Sequence, residues 1–163
     1  LEPVSVLYRT YVQKNGWMSY VSDGTMSGTS GKSLRLEAIQ IKLDTDADLG
    51  IQYKTYCQTY GWLNWSSNGA LNGTRGEAKR LEAIRIKLTG ADADKYDIYY
   101  RVHAQSYGWL DWAKNGQISG TMGLAKRLEA IQIIVVPKGS EPPTSSYKGI
   151  KSTNALAYYK KNS

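Results

Sequence analysis

Three copies of one short pattern run through this chain. Each copy reads Gln-x-x-Gly-Trp, then Gly-Thr, then Arg-Leu-Glu-Ala-Ile, and the copies are offset by 45 and 47 residues. A unit of this length cannot bury an adequate core alone, so we expect the three units to pack around a shared interior. We place the units at about 4–43, 51–88 and 98–136 and interpret 1–136 as one domain.

The C-terminal segment 137–163 differs in composition. It contains Lys-Gly-Ser-Glu-Pro-Pro-Thr-Ser-Ser and no apolar run able to build a core, which is typical of a linker or tail. Its five Lys and one Glu contribute +4 of the chain's net charge of +7. The repeats are therefore only mildly basic, which argues against a nucleic-acid partner because phosphate binding needs a dense basic face.

No apolar run is long enough for a membrane span or a signal peptide, and the first residue is Leu1 rather than Met. We therefore expect a soluble, processed or excised part of a longer protein, without a membrane span. The single cysteine, Cys57, corresponds to Val12 and Ala104 in the other units. A position that accepts these three side chains predicts a buried free thiol.

Alternation with a period of two predicts a strand at the start of each unit, over residues 8–12, 53–57 and 100–104. One face of these strands is apolar or small. The opposite face repeats a cation, a ring and an amide, and we expect these side chains to face outward together. They are Arg9, Tyr11, Gln13, Lys54, Tyr56, Gln58, Arg101, His103 and Gln105.

Turn signals and a second alternating segment complete each unit. Asp23-Gly24, Asn68-Gly69 and Asn115-Gly116 predict tight hairpins, and the glycine three residues after each Gly-Thr glycine suggests a bend with positive φ. The segment 39–43 alternates as a half-buried strand does. In the third copy, 133–136 is continuously apolar, so we expect that strand to be covered on both faces, by the first unit or by the tail.

These patterns predict an all-β fold in which the three repeats close with pseudo-threefold symmetry. A β-prism of three sheets is the favoured arrangement and a β-trefoil is the alternative, because both satisfy the same strand count. Arg-Leu-Glu-Ala-Ile also has the composition and spacing of one helical turn, which leaves a short helix open as an alternative to a strand there.

The combined pattern resembles a known family. Tyr-x-x-Tyr-Val-Gln-x-x-Gly-Trp, the Asp-Gly turn, Gly-Thr-x-Gly and Arg-Leu-Glu-Ala-Ile-x-Ile are similar to the ChW repeats, the clostridial hydrophobic repeats with a conserved tryptophan. The resemblance covers all three units. It implies tandem repeats in a secreted or surface protein of a Gram-positive bacterium and a non-catalytic binding or adhesive role, and it supplies no binding residues.

Candidate ligand-binding residues therefore come from the chemistry of the repeated positions. Six aromatic rings are candidates for stacking on sugars. If the strand is regular, the second ring of each unit lies on the opposite strand face from the first. The turn residues offer a carboxylate or amide for hydroxyl groups. The alternative roles are core packing for the first ring and turn formation for the polar residue. The candidates are Trp17, Trp62, Trp109, Tyr20, Trp65, Trp112, Asp23, Asn68 and Asn115.

The sequence gives less support to anion binding, catalysis or metal binding. The outward cation, ring and amide set is an alternative surface for anionic or amide-bearing ligands, and we expect Glu37, Glu82 and Glu129 to pair with nearby arginines. His103 lacks a second histidine, and its counterparts are tyrosines, so we expect neither an enzyme nor a metal site. The acidic connectors do not match a calcium loop, and no cofactor is expected.

We therefore expect a secreted or cell-surface, non-catalytic binding module with up to three weak sites that act together by avidity. The favoured partner is a polysaccharide or cell-wall glycan. The alternative is a protein-interaction or adhesion module that uses the outer strand face. Burial of Tyr20, Trp65 and Trp112 would remove the main support for carbohydrate.

Overall fold

We describe residues 1–162 of a computed structural model, which contains three similar units and a C-terminal segment. Each unit has a long first strand, three short strands and a long last strand. In unit 1 these are β1 (Ser5–Val12), β2 (Gly16–Trp17), β3 (Val21–Ser22), β4 (Ser27–Gly28) and β5 (Leu36–Asp44). In unit 2 they are β6 (Gly50–Cys57), β7 (Gly61–Trp62), β8 (Ser66–Ser67), β9 (Asn72–Gly73) and β10 (Leu81–Thr89). In unit 3 they are β11 (Tyr96–Ala104), β12 (Gly108–Trp109), β13 (Ala113–Lys114), β14 (Ser119–Met122) and β15 (Leu128–Pro137).

The predicted all-β class is confirmed, since the described helical content is one 3-10 turn, Ala93–Lys95, in the second connector. No helix in the described part of the chain has the length and apolar character needed to cross a membrane. The first and last strands of each unit pair antiparallel, β1 with β5, β6 with β10 and β11 with β15.

A β-bulge explains why Arg-Leu-Glu-Ala-Ile has the spacing of a helical turn although it lies in a strand. Tyr11 pairs with Ala38 and Val12 with Leu36, so that Glu37 is an additional residue in β5. The extra residue places four consecutive residues, 36–39, in buried positions. Arg-Leu-Glu-Ala-Ile is therefore the start of a strand rather than a helical turn, and its helix-like spacing results from the bulge.

The units are joined into a ring by strand exchange. β4 of unit 1 pairs with β15 of unit 3, β9 of unit 2 pairs with β5 of unit 1, and β14 of unit 3 pairs with β10 of unit 2. Each unit thus completes the sheet of a neighbour. Among the described residues the result is three separate main sheets rather than one closed barrel, and the choice between prism and trefoil stays a prediction.

The glycine of each Gly-Thr pair permits this exchange. Gly28, Gly73 and Gly120 have φ values of 100°, 106° and 122°. A methyl group on Gly73 would lie 2.4 Å from the carbonyl oxygen of Glu37 in the neighbouring sheet. Only a residue without a side chain allows the two backbones to approach this closely.

The three sheets enclose one shared hydrophobic core, to which all three units contribute. Alternate residues of β1 and β6 are buried, as the period-two pattern predicts. The hydroxyl of Tyr8 donates to Thr25 O of its own unit and accepts from the backbone N–H of Ile133 in unit 3, at 3.1 Å. Cys57 is a buried free thiol, as predicted.

The segment after unit 3 packs on that unit. Of the predicted tail 137–163, Ser163 lies outside the described residues. β16 (Ser146–Tyr147) and β17 (Ile150–Lys151) form a small hairpin, and β18 (Tyr158–Lys160) pairs parallel with β14. The segment is therefore in contact with the repeats over most of its length, while the division of the chain at 136 stays a prediction.

Candidate binding faces

The outer side of each main sheet carries a cation between two aromatic rings. In unit 1, the guanidinium carbon of Arg9 lies 4.5 Å from the centre of the Trp17 ring and 5.0 Å from that of Tyr20. We call this group the aromatic–cation face. The corresponding residues are Lys54, Trp62 and Trp65 in unit 2, and Arg101, Trp109 and Trp112 in unit 3. The aromatic candidates and the outward cations thus form one surface in each unit.

The two rings would lie on opposite strand faces only if a regular strand ran through both, and this condition is not met. β2 ends at Trp17, and the chain leaves the strand geometry before it reaches Tyr20. The alternation of a regular strand therefore does not extend between them, and both rings contact Arg9.

In each unit, the first tryptophan of the face packs against the ring of an outward residue on the first strand. Tyr11 meets Trp17 edge to face, with ring centres 5.4 Å apart and planes at 81°. Tyr56–Trp62 and His103–Trp109 repeat this contact at 5.6 Å. Such pairs stabilise by about 0.5–1.5 kcal/mol. Hence the first tryptophan has a structural role and also forms part of the surface.

A second cation lies over the second ring in two of the units. Lys42 Nζ is 4.3 Å from the centre of the Tyr20 ring, and Lys87 Nζ is 4.3 Å from that of Trp65. Sequence reasoning missed these two residues, although their outward positions in the alternating strands β5 and β10 gave the signal. The corresponding residue in unit 3 is Ile134, which carries no charge.

Units 1 and 3 share a hydrogen-bonded relay behind the cation. Arg9 Nε donates to Gln40 Oε1 at 2.7 Å, and Gln40 Nε2 donates to Gly69 O at 3.2 Å. Arg101, Gln132 and Gly24 repeat the relay at 2.7 and 3.0 Å. In unit 2 the arginine is on the other strand, where Arg85 Nε donates to Gly116 O at 2.7 Å. In units 1 and 3 the relay therefore fixes the cation of the face relative to the rings.

The three faces differ in exposure. Arg9, Trp17 and Tyr20 are half-buried, and so are the rings of unit 2, Trp62 and Trp65. In unit 3, by contrast, Arg101 is 0% exposed and Trp109 is 7% exposed. Trp112 is half-buried, like Tyr20 and Trp65. The faces of units 1 and 2 are therefore accessible, while in unit 3 the cation and the first ring are covered and the second ring keeps some accessible surface.

The covering segment is the tail, which binds Arg101 through oxygen atoms. Arg101 Nη1 donates to Ser145 O at 2.9 Å and to Ser152 Oγ at 2.6 Å, and Nη2 donates to Ile150 O at 2.9 Å. Burial lowers the pKa of Arg101 to about 10, with the carboxylate of Asp111 acting against this shift, so the guanidinium remains charged at neutral pH. The buried cation is thus satisfied by carbonyl and hydroxyl groups.

An aromatic side chain of the tail completes the contact. The ring of Tyr147 meets that of Trp112 edge to face at 5.5 Å, and Trp112 Nε1 donates to Thr144 O at 3.1 Å. Tyr147 also lies against the turn of unit 1, where a methyl group on Gly24 would be 2.5 Å from its ring. The segment 133–136 is not buried on both faces as predicted, since Ile133 and Val135 are buried but Ile134 and Val136 are only half-buried. The outward residue that is fully buried is Gln132.

The polar turn residues stabilise the hairpins through side-chain hydrogen bonds. Asp23, Asn68 and Asn115 have φ values of 47°, 47° and 44°, and each accepts a hydrogen bond at 2.9 Å on a side-chain oxygen from a backbone N–H of its own unit's first strand. The N–H of the glycine that follows donates to a neighbouring sheet at 2.7 Å. These contacts support the structural interpretation, since Asx residues tolerate such conformations.

The predicted glutamate pairs are present. Arg35, Arg80 and Arg127 meet Glu37, Glu82 and Glu129 at 2.9, 3.1 and 2.8 Å. Burial raises the pKa of Glu82 against the effect of Arg80. His103 Nδ1 lies 2.8 Å from Glu129 Oε1, which places His103 in this folding contact.

The outward amides turn away from the aromatic–cation faces. Gln13, Gln58 and Gln105 accept at Oε1 from the backbone N–H groups of the three arginines, at 3.3, 3.1 and 3.2 Å. They therefore lie at the strand ends rather than beside the rings. Over residues 1–162, no group of His, Cys, Asp and Glu has the arrangement of a metal site.

Comparison with known proteins adds one finding. A family model described as Clostridial hydrophobic W matches residues 11–45, 56–90 and 103–137. Neither the curated proteins nor the solved structures contain a match to the chain.

Proposed function

This chain belongs to the ChW family, and from this premise we propose that it is a non-catalytic module that binds an extracellular partner through the aromatic–cation faces of units 1 and 2. One observation carries the proposal: the same face in unit 3 is covered by a polypeptide segment of the chain itself. The location outside the cell rests on the family resemblance.

The chemistry of the covered face favours a protein partner. Arg101 is surrounded by three backbone carbonyls and a hydroxyl, all of which another polypeptide can supply. In unit 1, Arg9 has the same relay to its glutamine and uses Nε for it, so its Nη donors remain for a partner. Arginine between aromatic rings is typical of residues that dominate protein interfaces.

Carbohydrate is the second candidate, and the exposure of the rings supports it. Tyr20 and Trp65 are half-buried rather than buried, so the rings retain accessible surface. However, Lys42 and Lys87 lie over these two rings, which leaves less open ring surface for the C–H face of a sugar. The contacts therefore favour the protein partner over the polysaccharide.

Weak binding at two faces suits a partner with repeated sites. Each of the two faces offers two rings with cations over them. Linked sites raise the apparent affinity by about 10²–10⁴ when both bind together. We include the absence of catalysis in the proposal because His103, the residue with the best general-base chemistry, is engaged by Glu129 and Trp109.

Binding to two probes tests the proposal. One probe is a labelled peptide with the sequence of residues 143–153, and the other is a panel of soluble and insoluble glycans. We expect the full chain to bind the peptide. The double variant Arg9→Ala and Lys54→Ala should reduce binding at least about tenfold, because each change removes the cation that lies over two rings. Lys32→Ala is the matched control, since it removes an exposed cation that lies outside the aromatic–cation faces.

The outcomes separate the two partners. Glycan binding that depends on Tyr20 and Trp65, without peptide binding, would replace the protein partner by carbohydrate. If neither probe binds, or if the Arg9 and Lys54 variant binds as well as the unmodified chain, the aromatic–cation faces are not the binding surface.

A further inference from the structure

A second surface lies on the pseudo-threefold axis, at the end of the ring where β1, β6 and β11 end. It is a depression of about 460 Å³ to which all three units contribute equivalent residues. Its lining consists of one glutamine, one arginine and one small residue from each unit. These are Gln13, Gln58, Gln105, Arg35, Arg80, Arg127, Ser33, Ala78 and Ala125.

The lining of this axial depression contains three cationic side chains and no acidic one. The glutamates that pair with the arginines are more deeply buried, since the side chains of Arg35 and Glu37 are 23% and 5% exposed. The other two pairs show the same difference. The carboxylates therefore lie behind the arginines, and the positive ends face the depression.

The hydrogen-bond donors of the lining are only partly used. Each ion pair joins the glutamate to the arginine Nε, which leaves the Nη groups as further donors. Each glutamine accepts a backbone N–H at Oε1, which leaves its Nε2 group as a donor. Three equivalent sets of N–H donors thus surround one axis.

We propose that the axial depression binds a tetrahedral oxyanion, a phosphate or sulfate group, with one arginine from each unit. Such a group presents three oxygen atoms around an axis, which matches the threefold placement of the donors. Arginine binds such oxygens by charge-assisted, often bidentate hydrogen bonds. The volume leaves room for an ester, so the ligand class includes a phosphate or sulfate carried on a larger molecule.

Ala78 offers a substitution that changes the charge of the lining without breaking an ion pair. Its φ is 55°, a conformation that Asp and Asn tolerate better than Ala does. Ala78→Asp therefore adds a carboxylate to the depression, whereas Ala78→Asn adds a neutral side chain of the same shape. The pair separates the effect of charge from effects on folding.

Titration of the full chain with inorganic phosphate and with sulfate, at constant ionic strength against chloride, tests the proposal. We expect saturable binding by calorimetry and a higher melting temperature than in chloride. Ala78→Asn should keep this binding, and Ala78→Asp should weaken it about tenfold or more because of the added negative charge. The melting temperatures without added anion show whether both variants fold.

Three results would overturn the proposal. The first is no difference between either oxyanion and chloride, and the second is equal binding by the folded Asp and Asn variants. The third is a heat signal that does not saturate, as nonspecific screening would give. Binding of phosphate or sulfate alone identifies which of the two groups the site accepts. None of these results depends on the aromatic–cation faces.

Discussion

At the scale of single residues, the interior tyrosines connect the units through their hydroxyl groups. Tyr100 OH accepts from the backbone N–H of Ile86 in unit 2 at 3.2 Å, as Tyr8 OH does from Ile133 in unit 3. Each hydroxyl also donates to a carbonyl of its own unit. A single phenol oxygen thus joins a hairpin to the neighbouring sheet in the core.

These hydroxyl groups predict instability in alkali. Burial raises the pKa of Tyr8, Tyr53 and Tyr100 above their ordinary value of 10.0. The folded state therefore holds these protons more tightly than the unfolded state, and the stability they provide is present below pH 10 and lost above it. Each group contributes a slope of at most about 1.4 kcal/mol per pH unit.

The ionisation of Arg101 changes the stability of the fold in the opposite direction over the same pH range. Its pKa is lowered from 12.5 to about 10, so the folded state releases this proton first and gains stability as the pH rises. Because three tyrosines lower the free energy of unfolding and one arginine raises it, we expect this free energy to fall as the pH rises. Burial also raises the pKa of Cys57 above its ordinary value of 9.0, so stability begins to fall near that pH. Urea denaturation at pH 8 to 11 should therefore show a free energy of unfolding that falls gently from about pH 9 and more steeply above pH 10. Tyr53→Phe should make that fall shallower, and an unchanged slope would contradict the assignment.

At the scale of the strands, the Gly-Thr position controls whether the ring closes. Gly73→Ala places a methyl group 2.4 Å from Glu37 O, where β9 joins the sheet of unit 1, and we expect a loss of more than about 3 kcal/mol of unfolding free energy. Gly76→Ala is the matched control, since Gly76 has a φ of 74° but no atom within 4 Å of the added methyl. It should cost only about 1–2 kcal/mol. Equal losses in urea denaturation would show that conformation, rather than the close approach, explains the glycine.

The strands were predictable from the sequence where a local pattern determines them. The alternation over residues 8–12 gives the buried face of β1, and Asn68-Gly69 gives a turn with positive φ. The bulge at Glu37 was not predictable from the sequence, because an additional residue breaks the periodicity on which the prediction depends. The position of Tyr20 beside Trp17 depends on the irregular chain between them, so a rule for regular strands placed it on the wrong face.

The aromatic–cation faces were likewise predictable only in part. The six rings and three cations were found from repetition alone, but their assembly into one surface depends on tertiary structure. The covering of Arg101 by Ser145, Ile150 and Ser152 involves residues 44 to 51 positions away and no repeated pattern. The one sequence signal was the replacement of Lys42 and Lys87 by Ile134 in the third copy.

At the scale of the whole molecule, strand exchange makes each unit depend on the others. A chain that ends at residue 95 lacks unit 3, so β4 loses its partner β15 and β10 loses its partner β14. We expect this fragment to be unfolded, with a poorly dispersed NMR spectrum, while the full chain unfolds in one transition. A folded fragment with native chemical shifts in unit 1 would show that the units are independent.

The tail makes the three units of the ring inequivalent. Three equivalent units alone would look the same from three sides, but the segment that follows β15 returns over the face of the unit it has just left. A partner that reaches both accessible faces is therefore held along one arc, always on the same side relative to the C-terminal end. The C-terminal segment thus has a fixed position relative to the two accessible faces, a property that a symmetric ring does not have.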